Sequence, residues 1–212
     1  MNFEAARAEL IKHLATEIKN ERVLKAMSRV PRELFIPSEE RHLAYENRPL
    51  SIGLAQTISQ PYIIALMTES LELTGKEKVL EIGSGSGYQA AILAELTRLV
   101  ITVERLPALA KKARSLLDSL SYNNIKVYLT EPTLGWPPEA PYDAMIVTAG
   151  APKVPDALLE QLAICGRLVV PIGSRYKQEL YKITKGRKKN VVQSLGGCRF
   201  VPLIGEDAWQ EE

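Results

Sequence analysis

Cysteine and histidine are scarce in this chain, with two of each among 212 residues. Cys165 and Cys198 are too few for a disulfide framework and lack the close Cys/His spacing of a zinc site, so neither a structural zinc nor metal catalysis is expected. Both read as core or near-core thiols. His13 and His42 fall into no spacing of acidic and cysteine partners that marks a metal or catalytic site, and read as structural or surface residues. A charge surplus is missing too: 27 Lys and Arg face 25 Asp and Glu, a net charge of +2, which argues against a dedicated nucleic-acid binder. No apolar run approaches the ~18 residues of a membrane span. The opening MNFEAARAEL places Glu4 and Glu9 where a signal peptide needs an apolar centre, so the expected location is the cytoplasm. There is no internal repeat and no low-complexity tract. What is present is an ordinary globular composition, 46% apolar and 25% charged, at a length that suits one domain of roughly 100–200 residues.

Two kinds of periodicity divide the chain. Leu10, Ile11, Leu14 and Ile18 recur one turn apart between Arg7, Lys12, Glu17 and Lys19, which predicts an amphipathic helix. A second short helix around Val23, Leu24 and Met27 ends before Pro31, and the stretch to Ile58 follows neither period and reads as irregular. Ile64, Leu66, Met67, Leu71 and Leu73 predict a helix entered at Pro61 and closed by Gly75. Short apolar runs then alternate with helical stretches. Strands are predicted at Val79 to Ile82, Val100 to Val103, Ile125 to Leu129, Ala144 to Val147 and Leu168 to Ile172, with helices at Tyr88 to Leu96, Pro107 to Leu120 and Pro155 to Leu162. This alternation predicts the α/β class, a doubly wound Rossmann-like parallel sheet with helices on both faces. At the end, Leu180 to Thr184 and Val191 to Leu195 flank the turn KGRKKN as an antiparallel hairpin, and Phe200 to Ile204 reads as a further strand. Lys185, Arg187, Lys188 and Lys189 at the hairpin tip read as a solvated turn rather than a nucleic-acid contact, since Tyr176 and Tyr181 nearby form no stacking motif.

The sharpest signal is VLEIGSGSGY, Val79 to Tyr88, in which a strand runs into Gly83, Gly85 and Gly87 and then into a helix. Glycines let the backbone turn tightly and approach a ligand without Cβ interference, and the helix start offers free N–H groups. A dinucleotide fingerprint needs a further glycine where this chain has Tyr88, so the loop suits a smaller ligand than a dinucleotide. Glu104 ends the second strand, at the place where an acid accepts both hydroxyl protons of an unphosphorylated ribose. Loop and acid together predict an adenosine-containing ligand, with Gly83, Ser84, Gly85, Gly87 and Glu104 around it.

The chain also resembles the protein-L-isoaspartate O-methyltransferases. The resemblance lies in VPRELFIP near Val30, RPLSIGLAQTISQPYIIALM from Arg48 to Met67, the glycine loop, and TVER around Glu104. It continues in LGWPPEAPYDAMIVTAGAP from Leu134 to Pro152, GRLVVPIG from Gly166 and GGCRFVPLIG from Gly196. Roughly Glu21 to Gly205 is covered, and QTISQP is far more particular to this family than the glycine loop. The resemblance implies a single methyltransferase domain over residues 1–212, with residues 1–74 as a helical and substrate-segment appendage. It implies S-adenosyl-L-methionine as cofactor and isoaspartyl-containing proteins and peptides as substrates. The α-carboxyl of L-isoaspartate would be methylated and the ester would cyclise, which begins repair. Ser59 and Thr57 would be the catalytic-site residues, and Gln60 and Ile58 would bind substrate. Tyr88 and Gln89, by their position at the start of the helix after the loop, are placed to contact the cofactor, with core packing the equal alternative for Tyr88.

Ser59 could instead belong to the cap of the helix at Pro61. With Pro61 at the first helical position, however, Gln60 is the cap and Ser59 lies outside it. Two segments depart from the family pattern. Leu54-Ala55 stands where an aromatic residue or histidine followed by glycine is common, and Thr130-Glu131-Pro132 replaces Gly-Asp-Gly. In the family the aspartate and the next N–H would meet the adenine edge. Glu131 keeps a carboxylate for that role, whereas Pro132 has no N–H to donate. Methylation of another substrate by the same core, or cofactor binding without catalysis, are the competing expectations.

Overall fold

Two helices open the chain, Phe3–Leu14 (α1) and Glu21–Arg29 (α2), in a computed structural model that describes residues 2–130 and 134–210. Each starts where an asparagine side chain takes an otherwise unpaired N–H. Asn2 accepts from Ala5 at 3.1 Å and Asn20 from Arg22 at 3.0 Å. The segment read as irregular holds two short 3₁₀ helices, Arg32–Phe35 and Ser38–Leu43, and then a tight hairpin of Leu50–Gly53 (β1) and Gln56–Ile58 (β2). The helix Pro61–Ser70 (α3) follows, with Pro61 at its first position and Gln60 as its cap residue.

From here the strands Lys78–Ile82 (β3), Leu99–Glu104 (β4) and Ile125–Leu129 (β5) alternate with the helices Tyr88–Ala94 (α4) and Pro107–Ser119 (α5). Tyr142–Val147 (β6), the helix Asp156–Gln161 (α6), Leu162–Gly173 (β7), Gln178–Thr184 (β8) and Val191–Cys198 (β9) complete the order. The sheet has seven strands in the order β5-β4-β3-β6-β7-β8-β9. The first five neighbours are parallel, and β7-β8-β9 is antiparallel. Alternate strand residues serve two cores. Val79, Val100, Ala144 and Val169 face a cluster shared with Leu14, Met27, Met67 and Ile92 of the helices, while Leu80, Ile101, Met145 and Leu168 face one shared with Leu158. Burial on both faces is why these strands read as continuous apolar runs. Each fully buried Leu or Met contributes about 1.5–3 kcal/mol relative to exposure.

Three expectations change. Phe200 to Ile204 is not a strand: only isolated bridges form, Gly150 to Pro202 and Ile204 to Trp209, because Pro202 cannot donate to a ladder. β7 begins six residues before Leu168, and its register against β6 jumps from Tyr142–Leu162 to Ala144–Arg167. The extra residues carry Cys165 into solvent at φ +64°, so that thiol belongs to no core. Lys185 leaves the basic tip and donates to the carbonyls of Leu159 and Leu162 at 2.6 and 2.7 Å, at the end of α6. Only Arg187, Lys188 and Lys189 stay exposed. Among the described residues no helix is long and apolar enough to cross a membrane, and no cluster of side chains could hold a metal ion.

The topology places the site. The chain steps outward from β3 to β4 to β5 and then returns to the other side of β3 as β6. The carboxyl ends of β3 and β6 therefore flank a crevice at the point where the winding reverses, the usual ligand position in such sheets.

Candidate active site

A cavity of about 290 Å³ opens at this reversal point. Its floor is the glycine loop. Gly83, Gly85 and Gly87 all have positive φ, at 96°, 52° and 89°, which explains their residue type. A Cβ on Gly83 would lie 2.3 Å from Oγ1 of Thr148, a side chain anchored to the Ile82 and Gly83 carbonyls at 3.0 and 2.8 Å. The loop's N–H groups are largely committed within the protein. Gly83 and Ser84 donate to Val103, Gly87 donates to Ser84, and Gly85 donates to the Glu104 carboxylate at 2.9 Å. A loop so occupied is not a phosphate cradle. Gly87 does not line the cavity; a Cβ there would press on Leu117 and Ala113, so the start of α4 passes close to α5 at this residue.

Glu104 is 6% exposed and also accepts from the Leu106 N–H at 3.0 Å. Each oxygen thus takes one backbone donor, and a carboxylate's remaining lone pairs can accept two ligand hydroxyls. Ser84 lines the cavity, but its hydroxyl lies 2.6 Å from that of Thr102, which in turn donates to Glu81 Oε2 at 2.5 Å. Since Thr102 has one proton to give, Ser84 must donate to it. Glu81 is fully buried, lines the cavity and keeps Oε1 without a partner. Burial pushes its carboxyl up to about 8, and nearby Glu104 pushes the same way against the Thr102 hydrogen bond.

The other wall comes from β2 and its surroundings. Thr57, Ile58 and Ser59 line the cavity, and among the described residues neither the Thr57 nor the Ser59 hydroxyl has a hydrogen-bond partner. Gln60 is not part of this wall. Its amide donates to the Asn47 carbonyl at 2.9 Å, which fastens the segment. Arg32 fastens the same segment: fully buried, it donates to the carbonyls of Ala44 and Ser59, both at 2.9 Å, and lies over the Tyr88 ring with 5.0 Å to the centroid. Burial lowers its pKa to about 10, which leaves it charged at neutral pH. Tyr88 and Gln89 line the cavity, with the Gln89 amide held by Thr68 at 3.0 Å. The turn between β1 and β2 consists of Leu54 and Ala55, with φ of 53° and 56°. Left-handed backbone costs roughly 1–2 kcal/mol per non-glycine residue.

A model of the family "Protein-L-isoaspartate(D-aspartate) O-methyltransferase (PCMT)" matches residues 5–208. The chain belongs to this family. It is similar to a protein-L-isoaspartate O-methyltransferase of Geobacter metallireducens, 51% identical with 100% of both chains covered. It is likewise similar to protein-L-isoaspartate O-methyltransferase 1 of Syntrophobacter fumaroxidans, at 52% identity with 99% of each covered. A solved Plasmodium falciparum protein of the same description, in complex with S-adenosyl-L-homocysteine, superposes with a TM-score of 0.80. It is 25% identical, with 92% of this chain and 96% of that one covered.

For this isoaspartate methyltransferase family member, the geometry brings together Thr57, Ile58, Ser59, Gly83, Ser84, Gly85 and Glu104, and leaves out Gln60 and Gly87. Glu131 and Pro132 lie outside the described residues; the preceding Thr130 lines the cavity, and its N–H donates to the Glu104 carbonyl at 2.9 Å. Sequence reasoning passed over Glu81, Arg32 and Thr148. A signal existed for Glu81: an acid in the middle of VLEIG, a strand otherwise apolar on both faces.

Proposed function

We propose that this chain transfers a methyl group from S-adenosyl-L-methionine to the α-carboxyl of L-isoaspartyl residues in damaged proteins and peptides, in the cytoplasm. Residues 1–212 would act as one methyltransferase domain, with residues 1–74 supplying the substrate wall. The observation that carries this reading is the single cavity in which Glu104 and the glycine loop meet the hydroxyls of Thr57 and Ser59, which have no partner among the described residues. Family membership supports it.

The residues present fit the cofactor. Glu104 would take the ribose hydroxyls, and a cationic group beside the orphaned, buried Glu81 Oε1 would favour the ionised carboxylate, whose oxygen then accepts from it. When bound, S-adenosyl-L-methionine supplies a sulfonium-activated methyl ready for in-line displacement. The protein's own task is placement. An α-carboxyl with a pKa of about 3.3–3.7 is already an anion at neutral pH, so no general base is required, and none of the His or Cys side chains lines the cavity. Thr57 and Ser59 would donate hydrogen bonds to the carboxylate and fix its oxygen. Arg32 would hold Ser59 in place through its carbonyl. Ile58, Ile64, Met67 and Leu203 line the cavity with apolar surface that keeps water from the reacting oxygen. Such positioning corresponds to effective molarities of about 10⁵–10⁸ M.

Labelled methyl transfer to an isoaspartyl peptide, with the normal aspartyl peptide as control, tests the proposal. Selective labelling is expected. Firm cofactor binding with no transfer favours a noncatalytic protein, and transfer only to other acceptors favours a different methyltransferase.

A further inference from the structure

Leu54 combines two properties that are separately unremarkable. It is 58% exposed, and single exposed leucines are common. It also sits at φ +53° beside Ala55 at +56°, as the two central residues of a two-residue hairpin turn. Such turns favour Asn-Gly, which adopts these angles with little strain and leaves only polar surface in solvent. Here an apolar side chain is displayed in water on a backbone that resists it. Strained backbone of this kind is concentrated at active sites and ligand clamps.

The location suggests the function. The hairpin continues without a break into the candidate active site: Ala55, Gln56, Thr57, Ile58 and Ser59 all line the cavity. Leu54 lies three residues before Thr57, across the turn, so chain length keeps the two within about 10 Å of each other. Leu54 itself stands just outside the cavity lining, next to Ala55, and a peptide whose carboxylate is held at Thr57 and Ser59 and which leaves along the hairpin would reach it within two or three residues. The segment Val201, Pro202 and Ile204, half-buried and lining the same cavity, adds further apolar surface.

We propose that Leu54 is a specificity residue that receives an apolar side chain two or three residues from the isoaspartate, so that this protein prefers damage sites with an aliphatic or aromatic neighbour. This rests on the isoaspartyl methyltransferase reading and deepens it.

The test is a panel of isoaspartyl peptides in a Ser/Gly background, with one Leu moved through the three positions on either side. For the parent protein, kcat/KM should rise roughly tenfold over the all-polar peptide when Leu stands at the favoured position, the size expected from partial burial of one leucine. In the Leu54→Asn/Ala55→Gly double variant that ratio should fall to near one. The melting temperature should rise by about 2–4 °C as the turn relaxes. Leu54→Ser, which removes only the side chain, should abolish the preference without the thermal gain. Transfer with no positional preference, or a preference that survives both substitutions, overturns the inference while leaving the methyltransferase reading intact. Failure to methylate any isoaspartyl peptide overturns both.

Discussion

The wall built from β3 and β4 keeps its polar groups occupied with one another, whereas the wall built from the β1–β2 hairpin leaves them open. On the first wall, the loop N–H of Gly85 meets Glu104, and Ser84, Thr102 and Glu81 form a closed chain with one spare oxygen. On the second, the Thr57 and Ser59 hydroxyls have no partner among the described residues, and the turn at Leu54 is strained. A prearranged wall is suited to a constant ligand. Open donors on a short hairpin are suited to a substrate that arrives in many sequence contexts, and the price is paid in local backbone strain.

If the two walls divide the work in this way, substitutions should separate rate from cofactor affinity. The largest effect is expected from Ser59→Ala, with kcat for methyl transfer falling about a hundredfold, as for loss of a donor aimed at a reacting oxygen. Cofactor affinity should stay within about twofold. Single-turnover rates and calorimetry on the same preparation check both, and a matching loss of affinity would erase the distinction between the walls. Gly83→Ala should act on the other wall through the fold, since its Cβ would meet Thr148 at 2.3 Å with φ at +96°. We expect about 2–3 kcal/mol of lost stability in chemical denaturation, in the range typical of strain at a special backbone position.

Glu104→Ala should weaken S-adenosyl-L-methionine by roughly 1.5–3 kcal/mol, or about ten- to a hundredfold, if its lone pairs take ribose hydroxyls. Turnover at saturating cofactor should change far less. Calorimetry on folded variant protein decides, and an unchanged Kd removes Glu104 from the cofactor site.

How far these walls could be read beforehand differs for the same physical reasons. The parallel strands were legible because burial on both faces leaves an apolar run such as Val100 to Val103. The glycine loop was legible because only glycine tolerates its φ angles. The hairpin was not, because Leu54-Ala55 lacks the Asn-Gly signature on which such turns are recognised. Phe200 to Ile204 is apolar enough to suggest a strand, yet Pro202 limits it to isolated bridges. Ser59 and Thr57 entered through family resemblance, since a hydroxyl without a partner is a property of three-dimensional surroundings. Arg32 was hidden likewise: its carbonyl acceptors lie 12 and 27 residues away. Gln60 and Gly87 look like their site neighbours in sequence, and only the fold shows that they stand outside the cavity lining, beside Asn47 and beside Leu117 and Ala113.

The remaining effect concerns Glu81 and is one of pH. Burial holds its carboxyl near 8 in the folded protein, above the ordinary carboxylate value. Below the unfolded pKa both states are protonated and the group is neutral to stability. As pH rises from about 4.5 towards 8, the unfolded chain ionises first, so stability falls by up to ~1.4 kcal/mol per pH unit from this group. Glu81→Gln should flatten that slope in the cofactor-free protein. Denaturation across this pH range, parent against variant, would contradict the assignment if the two curves ran parallel.

The division between a cofactor wall and a substrate wall is tested most directly by labelled methyl transfer from S-adenosyl-L-methionine to an isoaspartyl peptide and its aspartyl twin, using parent and Ser59→Ala protein at saturating cofactor. The parent should label the isoaspartyl peptide alone, and Ser59→Ala should bind cofactor normally while transferring about a hundredfold more slowly. Equal labelling of the twins, or parent-like transfer by Ser59→Ala, would contradict it.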